Sequence, residues 1–160
     1  MKTNQKGFTL IELLVVIAII GLLSTLAVVS LNNARQKSRD AKRVSDVKQI
    51  QTSLELFFVD QNGYPGTTAD SVLGEGSFLS LDSTGFDSAC NSGETCYMGQ
   101  VPANPSPGGA DYTYNADTGG TACTSGVACG NYEIEFTIEG PVGQLTAPTC
   151  VASPVGVSLS

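Results

Sequence analysis

The sequence contains no histidine and no tryptophan. The absence of histidine removes the commonest general base and the commonest metal-binding side chain from consideration. The sequence also has no GxSxG nucleophile motif and no phosphate-binding loop. We therefore expect a protein that is not an enzyme and that carries no resident organic cofactor.

Basic residues are missing from most of the chain. Lysine and arginine occur only up to Lys48 of the 160 residues, whereas residues 49–160 carry twelve acidic side chains and no basic one. An acidic region of this kind repels the phosphate backbone of nucleic acids, so we expect no nucleic-acid binding by it. Its charge favours cations or basic partners, unless it serves solubility alone.

Charge of either sign is missing from the 19 residues between Leu13 and Leu31. As a helix rising ~1.5 Å per residue, this run is roughly 28 Å long, close to the ~30 Å hydrocarbon thickness of a bilayer. One carboxylate, Glu12, lies at the edge of the run. An unpaired charge there costs on the order of 2–4 kcal/mol, so we interpret Glu12 as a functional residue.

A short basic leader precedes this run and ends in the sequence Lys6-Gly7-Phe8-Thr9-Leu10-Ile11-Glu12. The pattern resembles the class III signal of type IV pilins and of the pseudopilins of type II secretion. The resemblance implies that a prepilin peptidase cuts between Gly7 and Phe8 and methylates the new terminal amine of Phe8. It also implies that Glu12 pairs with the N-terminal amine of a neighbouring subunit as a filament grows. The alternative is an ordinary signal anchor with a stray glutamate.

A second helical segment follows Asn32, and its apolar residues recur every three or four positions. This spacing predicts a helix that packs one stripe on a globular domain and exposes the charged residues between. Asn62-Gly63-Tyr64-Pro65 predicts the end of the helix, with Gly63 in the left-handed position. One helix from about Phe8 to Gln61 would be roughly 80 Å long, so half must protrude from a small domain, as in the pilin family. The apolar stripe consists of Val44, Val47, Ile50, Leu54, Phe57 and Phe58, and the charged residues are Arg35, Lys37, Arg39, Asp40, Lys42, Arg43, Asp46 and Lys48.

Alternating side chains predict two strands in the C-terminal part, over Ala110–Asn115 and Tyr132–Ile138, joined as an antiparallel pair by the loop 116–131. The glycine-rich segment from Gly66 to Pro107 is typical of a loop, with a short helix near Thr68–Leu73. The segment from Gly140 to Ser160 is expected to add an edge strand near Gln144–Ala147, with a loose tail as the alternative.

The predicted fold class is α+β, with a long N-terminal helix packed on a small antiparallel sheet and a loop-rich C-terminal region. We expect four segments along the chain. These are a leader (1–7), a transmembrane or filament-core helix (8–31), its amphipathic continuation (32–62) and a small globular β-rich domain (63–160).

Five cysteines occur, all in the C-terminal part. Cys90 and Cys96 share their spacing with Cys123 and Cys129, which favours two disulfides that each close a small loop. Cys150 is left over, or it replaces a member of one pair. Disulfides would place this part outside the cytoplasm, whereas buried reduced thiols are the alternative.

A calcium site is the one ligand site that the sequence suggests. Asp111 and Asp117, together with Asn115 or Glu133, could supply the oxygen ligands that Ca²⁺ prefers. No EF-hand spacing is present, so a plain solvated loop is the alternative.

The resemblance implies a structural subunit of a type IV pilus, made as a single-pass membrane precursor with its N-terminus inside and its C-terminal domain outside. Its partners would be further copies of itself, a prepilin peptidase and an inner-membrane assembly platform. The mature protein would lie in an extracellular pilus or, as the alternative, in a periplasmic pseudopilus as the major pseudopilin of type II secretion. A monomeric, membrane-anchored acidic binding module is the competing class.

The basic residues conflict with this orientation. Six lysines and arginines follow the apolar run and two precede it, so the positive-inside rule alone would keep the C-terminal part in the cytoplasm. The class III signal and the cysteines outweigh that rule here.

Overall fold

The computed structural model describes residues 7–67, 71–118, 121–123, 129–146 and 148–159. The chain divides into two compact units between Gln36 and Lys37. A single α-helix, α1 (Leu10–Gln61), contributes residues to both. The prediction of one continuous helix ending at Gln61 is confirmed. No glycine or proline lies between Leu22 and Gln61, so nothing in this stretch breaks the backbone hydrogen bonding.

The end of α1 differs in detail from the prediction. Asn62, rather than Gly63, adopts the left-handed conformation, with φ of 57°. Its N–H donates to the carbonyl of Phe58 at 2.8 Å and closes the last helical turn. Asparagine tolerates this conformation better than other residues with a side chain, because its short amide can bond to the local backbone.

Eight short strands follow the helix and form two antiparallel sheets. A five-stranded sheet has the order β1-β5-β6-β7-β8, and a three-stranded sheet has the order β3-β2-β4. The strands are β1 (Ser71–Val72), β2 (Ser80–Asp82), β3 (Gly85–Asp87), β4 (Cys96–Met98), β5 (Thr113–Asp117), β6 (Asn131–Thr137), β7 (Thr149–Ser153) and β8 (Gly156–Leu159).

The predicted pair of strands is present. Strands β5 and β6 pair in antiparallel fashion, with Tyr114 opposite Ile134. Tyr132, Ile134 and Phe136 are buried on one face of β6, and Glu133 lies exposed on the other. The α+β fold class predicted from the sequence is therefore confirmed.

Three local predictions are wrong. Ser71–Val72 forms an edge strand on β5 rather than the end of a short helix, because pairing with Tyr114 and Thr113 supplies backbone partners that a lone helical turn lacks. Thr68–Asp70 lie outside the described residues. The segment 80–98 forms the three-stranded sheet rather than a loop, since strands of three residues are too short to show alternation. The C-terminal strands are β7 and β8, whereas Val142 and Leu145 near the expected edge strand form only an isolated bridge. Ala147 lies outside the described residues.

The core lies between the second half of α1 and the inner face of the five-stranded sheet. Val47, Ile50 and Leu54 of the helix are fully or almost fully buried in one cluster with Ile134 and Phe136 of β6. Each such side chain contributes about 1.5–3 kcal/mol through burial. The predicted apolar stripe is therefore the face that packs on the sheet, with Val44 and Phe58 only partly buried at its margin.

Candidate functional site

The Gly7–Phe8 bond lies just before α1, and both residues are exposed. The Phe8 side chain is 88% exposed. A Cβ placed on Gly7 would meet no atom within 4 Å among the described residues. Packing within the chain therefore gives no reason for glycine at this position, and a requirement for Gly7 would have to come from a second molecule that handles this bond.

Glu12 belongs to the first turn of the helix, where it bonds to Thr9. The Oε2 atom of Glu12 accepts hydrogen bonds from the Thr9 backbone N–H at 2.9 Å and from the Thr9 hydroxyl at 2.7 Å. In return the Glu12 N–H donates to Thr9 Oγ1 at 3.3 Å. This reciprocal arrangement is a capping box, which satisfies free N–H groups at a helix N-terminus. The spacing Thr9-x-x-Glu12 is its sequence signal, and an interpretation of Glu12 as a lone charge overlooks it.

Only one oxygen of the Glu12 carboxylate takes part in the capping box. In the part of the chain that the structure describes, no hydrogen bond to Oε1 is formed. A carboxylate offers about four acceptor positions over its two oxygens. Glu12 can therefore cap its own helix and still accept a hydrogen bond from a second chain.

The helix segment that follows Glu12 exposes its apolar side chains. Leu10 is 81% exposed and Leu22 is 65% exposed. By length and composition, α1 contains a stretch able to cross a membrane. Exposed apolar surface of this extent indicates contact with lipid or with other protein chains.

Comparison with known proteins identifies this segment. Residues 2–28 match the family described as the prokaryotic N-terminal methylation motif. The chain is 41% identical over 66 residues to the type II secretion system core protein G of Aeromonas hydrophila, covering 41% of this chain and 46% of that protein. It is 34% identical over 104 residues to the core protein G of Escherichia coli K12, covering 64% and 67%. The chain is a member of the type IV pilin and pseudopilin family.

The same pilin-family chain also resembles a pilus subunit. It is 37% identical over 78 residues to the type IV major fimbrial protein FimA of Dichelobacter nodosus, covering 46% of this chain and 49% of that protein. The match spans less than half the length of the Aeromonas and Dichelobacter relatives. No solved structure matches the chain significantly.

A buried ionic cluster in the second unit of this pilin-family chain was not predicted. Arg43 is completely buried, and its guanidinium donates to Asp40 at 2.6 Å, to Glu139 at 2.9 Å and to Asn104 at 2.8 Å. It also donates to the carbonyl of Gly108. The cluster thereby joins α1 to the loop before β5 and to the turn after β6.

Asp40 completes this cluster from the neighbouring turn of the helix. It is 1% exposed, and its two oxygens accept the backbone N–H groups of Glu139 and Gly140, each at 3.0 Å, in addition to Arg43. The prediction that Asp40, Arg43 and Asp46 lie on exposed turns is therefore wrong. Positions 40 and 43 extend the spacing of 47, 50, 54 and 57 toward the N-terminus, and this periodicity is the signal that could have placed them inside.

Glu139 connects the cluster to the surface. Arg39 donates to it through Nε at 2.8 Å and through a terminal nitrogen at 2.6 Å, a two-bond geometry that favours the ionised carboxylate. Hydrogen bonds from Arg39 and Arg43 lower the pKa of Glu139 to about 2. Arg39 and Arg43 are thus ion-paired within the chain, whereas Lys42 and Lys48 form no ion pair with any residue that the structure describes.

The cysteines pair as their spacing predicts. Cys90 is bonded to Cys96, and Cys123 is bonded to Cys129. Cys150 belongs to neither bond and is buried in β7 facing the core, where burial raises the pKa of its thiol. Both disulfides lie in the second unit, where Cys96 begins β4 and Cys129 forms an isolated bridge with Tyr64.

The residues suggested for calcium do not meet in one place. Asp111 precedes β5 and Asp117 ends it, so an extended strand separates them by about 20 Å at ~3.3 Å per residue. Asp117 instead accepts a hydrogen bond from Asn131 at 3.1 Å, while Asn115 lies opposite Glu133. Over the described ranges no group of three acidic or cysteine side chains is placed to hold a metal ion. Calcium binding stays a prediction.

Proposed function

We propose that this chain is the structural subunit of a filament of the type IV pilus class. The observation that carries the proposal is an apolar, exposed helix segment that begins shortly after the Gly7–Phe8 bond and carries Glu12, which caps its first turn. Such a surface needs lipid before assembly and neighbouring helices after it. The match of residues 2–28 to the methylation motif supports cleavage and methylation at Phe8 by a prepilin peptidase.

The energetics of assembly give Glu12 its role. Moving the helix from lipid to a filament core exchanges one apolar environment for another, so the hydrophobic effect contributes little to this step. Close packing and polar pairing must then supply the stability. A carboxylate in these surroundings favours a cationic partner, and the amine of a processed Phe8 on the adjacent copy supplies one.

Gly21 is suited to the packing part of this step. A Cβ added at Gly21 would meet no atom within 4 Å among the described residues, so the glycine leaves its space to a neighbouring helix. Glycine in a helix interior costs about 1 kcal/mol relative to alanine, which close helix contact in the filament would offset.

Two substitutions of Glu12 separate its charge from its capping role. Glu12→Gln keeps a side chain that completes a capping box but removes the negative charge, whereas Glu12→Leu removes both. We expect both variants to insert into the membrane and neither to yield sheared surface or periplasmic fibres. Normal fibres from Glu12→Gln would show that the charge is not needed. Membrane insertion without fibres, from the unsubstituted chain and from both variants alike, would favour a monomeric anchored module.

We propose the orientation and the partners on the same grounds. The precursor spans the inner or cytoplasmic membrane once, with Lys2 and Lys6 inside and the disulfide-bonded unit outside, where disulfides persist. Its partners are further copies of itself, the peptidase and an assembly platform in that membrane. Labelling by a membrane-impermeant amine reagent in intact spheroplasts tests the orientation. We expect Lys42 and Lys48 to be labelled, and protection of both lysines would contradict the proposed orientation.

A major pseudopilin of type II secretion is the second candidate. The relative matched over the greatest length among those described above is the core protein G of Escherichia coli, which favours this reading. Deletion of the gene that encodes this chain decides between a pilus subunit and a pseudopilin. Loss of protein export with unchanged surface fibres indicates a pseudopilus. Loss of surface fibres with unchanged export indicates a pilus.

Calcium binding remains a separate proposal for the acidic unit, supported by its excess of carboxylates. A bound ion would raise the melting temperature of the full-length chain in detergent with calcium relative to chelator, by mass action. Equal melting temperatures remove the proposal. Asp111→Asn and Asp117→Asn, tested separately, show which aspartate contributes.

A further inference from the structure

Two of the layers in the second unit present opposite outer faces. Residues 37–61 of α1 form one layer and the five-stranded sheet forms the other, with the shared core between them. The outward side of the helix and the outward side of the sheet therefore point away from each other. Neither outward side is part of the buried core.

The outward side of the helix carries a shallow groove. Its lining includes small side chains at Ala41 and Ser45, and Lys48 lies one turn further along. Lys42, on the turn before Ser45, is also exposed. We call this surface the helix groove. It is lined by Ala41, Val44, Ser45, Lys48, Gln49 and Thr52.

The outward side of the sheet carries two carboxylates, which we call the acidic sheet face. Glu133 and Glu135 are both exposed on β6, the middle strand of the five, and their spacing of two places them on the same face. Their cross-strand neighbours are Asn115 and Thr113 on β5, and Val151 lies beside Glu135 on β7. No lysine or arginine occurs after Lys48, so nothing within the sheet neutralises this face.

We propose that the helix groove of one copy receives the acidic sheet face of a second copy, with Lys42 and Lys48 opposite Glu133 and Glu135. The inference rests on the proposed filament function and assigns the contact between its globular units. Charge complementarity supports a second copy as the occupant, because Lys42 and Lys48, which form no ion pair among the described residues, lie on one layer and these carboxylates lie on the other. Small residues in the groove allow a flat strand surface to approach closely.

The placement of the two surfaces fits an open assembly. A contact between two different faces of the same molecule is heterologous, and repeated heterologous contacts generate rings or open helical filaments. Since the two faces lie on opposite sides of the unit, each copy retains one unused groove and one unused acidic face for the next copy. Leu56 and Val59, exposed by 53% and 79% on the helix beyond the groove, add apolar area to the same side.

Charge reversal in the full-length chain tests this contact. We expect Lys42→Glu with Lys48→Glu to lower the yield of sheared fibres about tenfold, and Glu133→Lys with Glu135→Lys to do the same, because like charges then face each other. The four substitutions combined should restore the yield. Glu75→Lys with Glu94→Lys is the matched control, since both residues are exposed acids outside the acidic sheet face and their reversal changes the net charge as much as the reversal of Glu133 and Glu135 does.

The outcomes separate this inference from the filament proposal itself. Thermal unfolding of each variant in detergent confirms folding. Lys42→Gln with Lys48→Gln replaces the lysine reversal if that variant fails to fold, and Glu133→Gln with Glu135→Gln replaces the glutamate reversal. If the two double variants give the fibre yield of the unsubstituted chain, or if the combined variant gives no more fibres than either double variant, the proposed contact is wrong. The filament proposal is not affected by either result. Lost binding to vesicles containing an anionic lipid with unchanged fibre yield would assign the lysines to the membrane and also overturn it. If the unsubstituted chain forms no fibres, the proposed function fails and the contact fails with it.

Discussion

The residue that most constrains the second unit is Arg43. Removing an ion pair from water costs several kcal/mol per ion, and only good geometry with further hydrogen bonds offsets that cost. Arg43 meets this condition through Asp40, Glu139, Asn104 and the carbonyl of Gly108. The cluster is therefore sensitive to loss of a single partner, more than to its overall replacement by apolar residues.

Replacement of Arg43 alone should be strongly destabilising. Arg43→Met leaves Asp40 buried without its cation, and we expect a loss of about 3–5 kcal/mol in the free energy of unfolding. Arg39→Met removes a cation from a partly exposed pair and should cost about 1 kcal/mol or less. Denaturant unfolding of the full-length chain in detergent measures both. Equal losses for the two variants would contradict the account of the buried cluster.

Acid should weaken the fold through Glu139. Its lowered pKa means that the pair with Arg39 and Arg43 stabilises the folded state above the ordinary carboxyl value of 4.5 and is lost as pH falls toward about 2. We expect the free energy of unfolding to fall with pH over this window, and to fall less steeply in Glu139→Gln. Burial raises the pKa of Asp82, but hydrogen bonds from Thr84 and Asn91 outweigh it and lower the pKa below its ordinary value. The informative quantity is therefore the difference between the two pH profiles, and identical profiles would contradict the role of Glu139.

At the scale of elements, the end of α1 depends on one backbone conformation. Asn62 holds φ of 57°, a region in which most side chains are strained by roughly 1–2 kcal/mol. Asn62→Ala should therefore destabilise the chain by about 1 kcal/mol, whereas Asn62→Gly should be neutral or slightly stabilising. Thermal unfolding of the two variants side by side provides the measurement. A greater loss for glycine than for alanine would show that the amide side chain, rather than the backbone, matters here.

The elements differ in how far the sequence predicts them. The stripe from Val47 to Phe57 and the alternation in β6 are local periodicities, so they predict both the elements and the faces that they bury. Strand β1 has two residues, and its backbone partner is the distant strand β5. Strands β2 to β4 have three residues each, and β2 and β3 form a hairpin that is too short to show alternation. Propensity within such short segments cannot reveal a partner far along the chain. Asn62 was missed for a different reason, since the neighbouring Gly63 is the more usual residue for the position it takes.

At the scale of the whole molecule, the motif near the N-terminus could be recognised from the sequence because its signal is local. Gly7, Phe8 and Glu12 lie within six residues, and the apolar run follows at once. The buried cluster was not predicted, because Arg43 meets Glu139 across almost a hundred positions of sequence. A charged residue is predicted to be exposed unless the partner that neutralises it is known, because burial of an unpaired charge is costly.

The charge distribution gives the second unit basic and acidic surfaces in different places. Cations end at Lys48 and the acidic excess begins beyond it, so the chain contains both halves of an electrostatic contact without pairing all of them internally. The long apolar segment, together with Glu12, which caps its first turn, is the surface that we propose for a second contact, between helices of neighbouring copies. The charged surfaces and the apolar segment both support the proposal that this chain assembles with further copies of itself.

The most direct measurement is the mass of the N-terminal peptide of the chain recovered from sheared, purified fibres. We predict a peptide that begins at Phe8, carries one additional methyl group on its amine and still contains Glu12. Fibres that contain the chain with Met1 or any other residue at its start, or an absence of the chain from all fibres, would contradict the account.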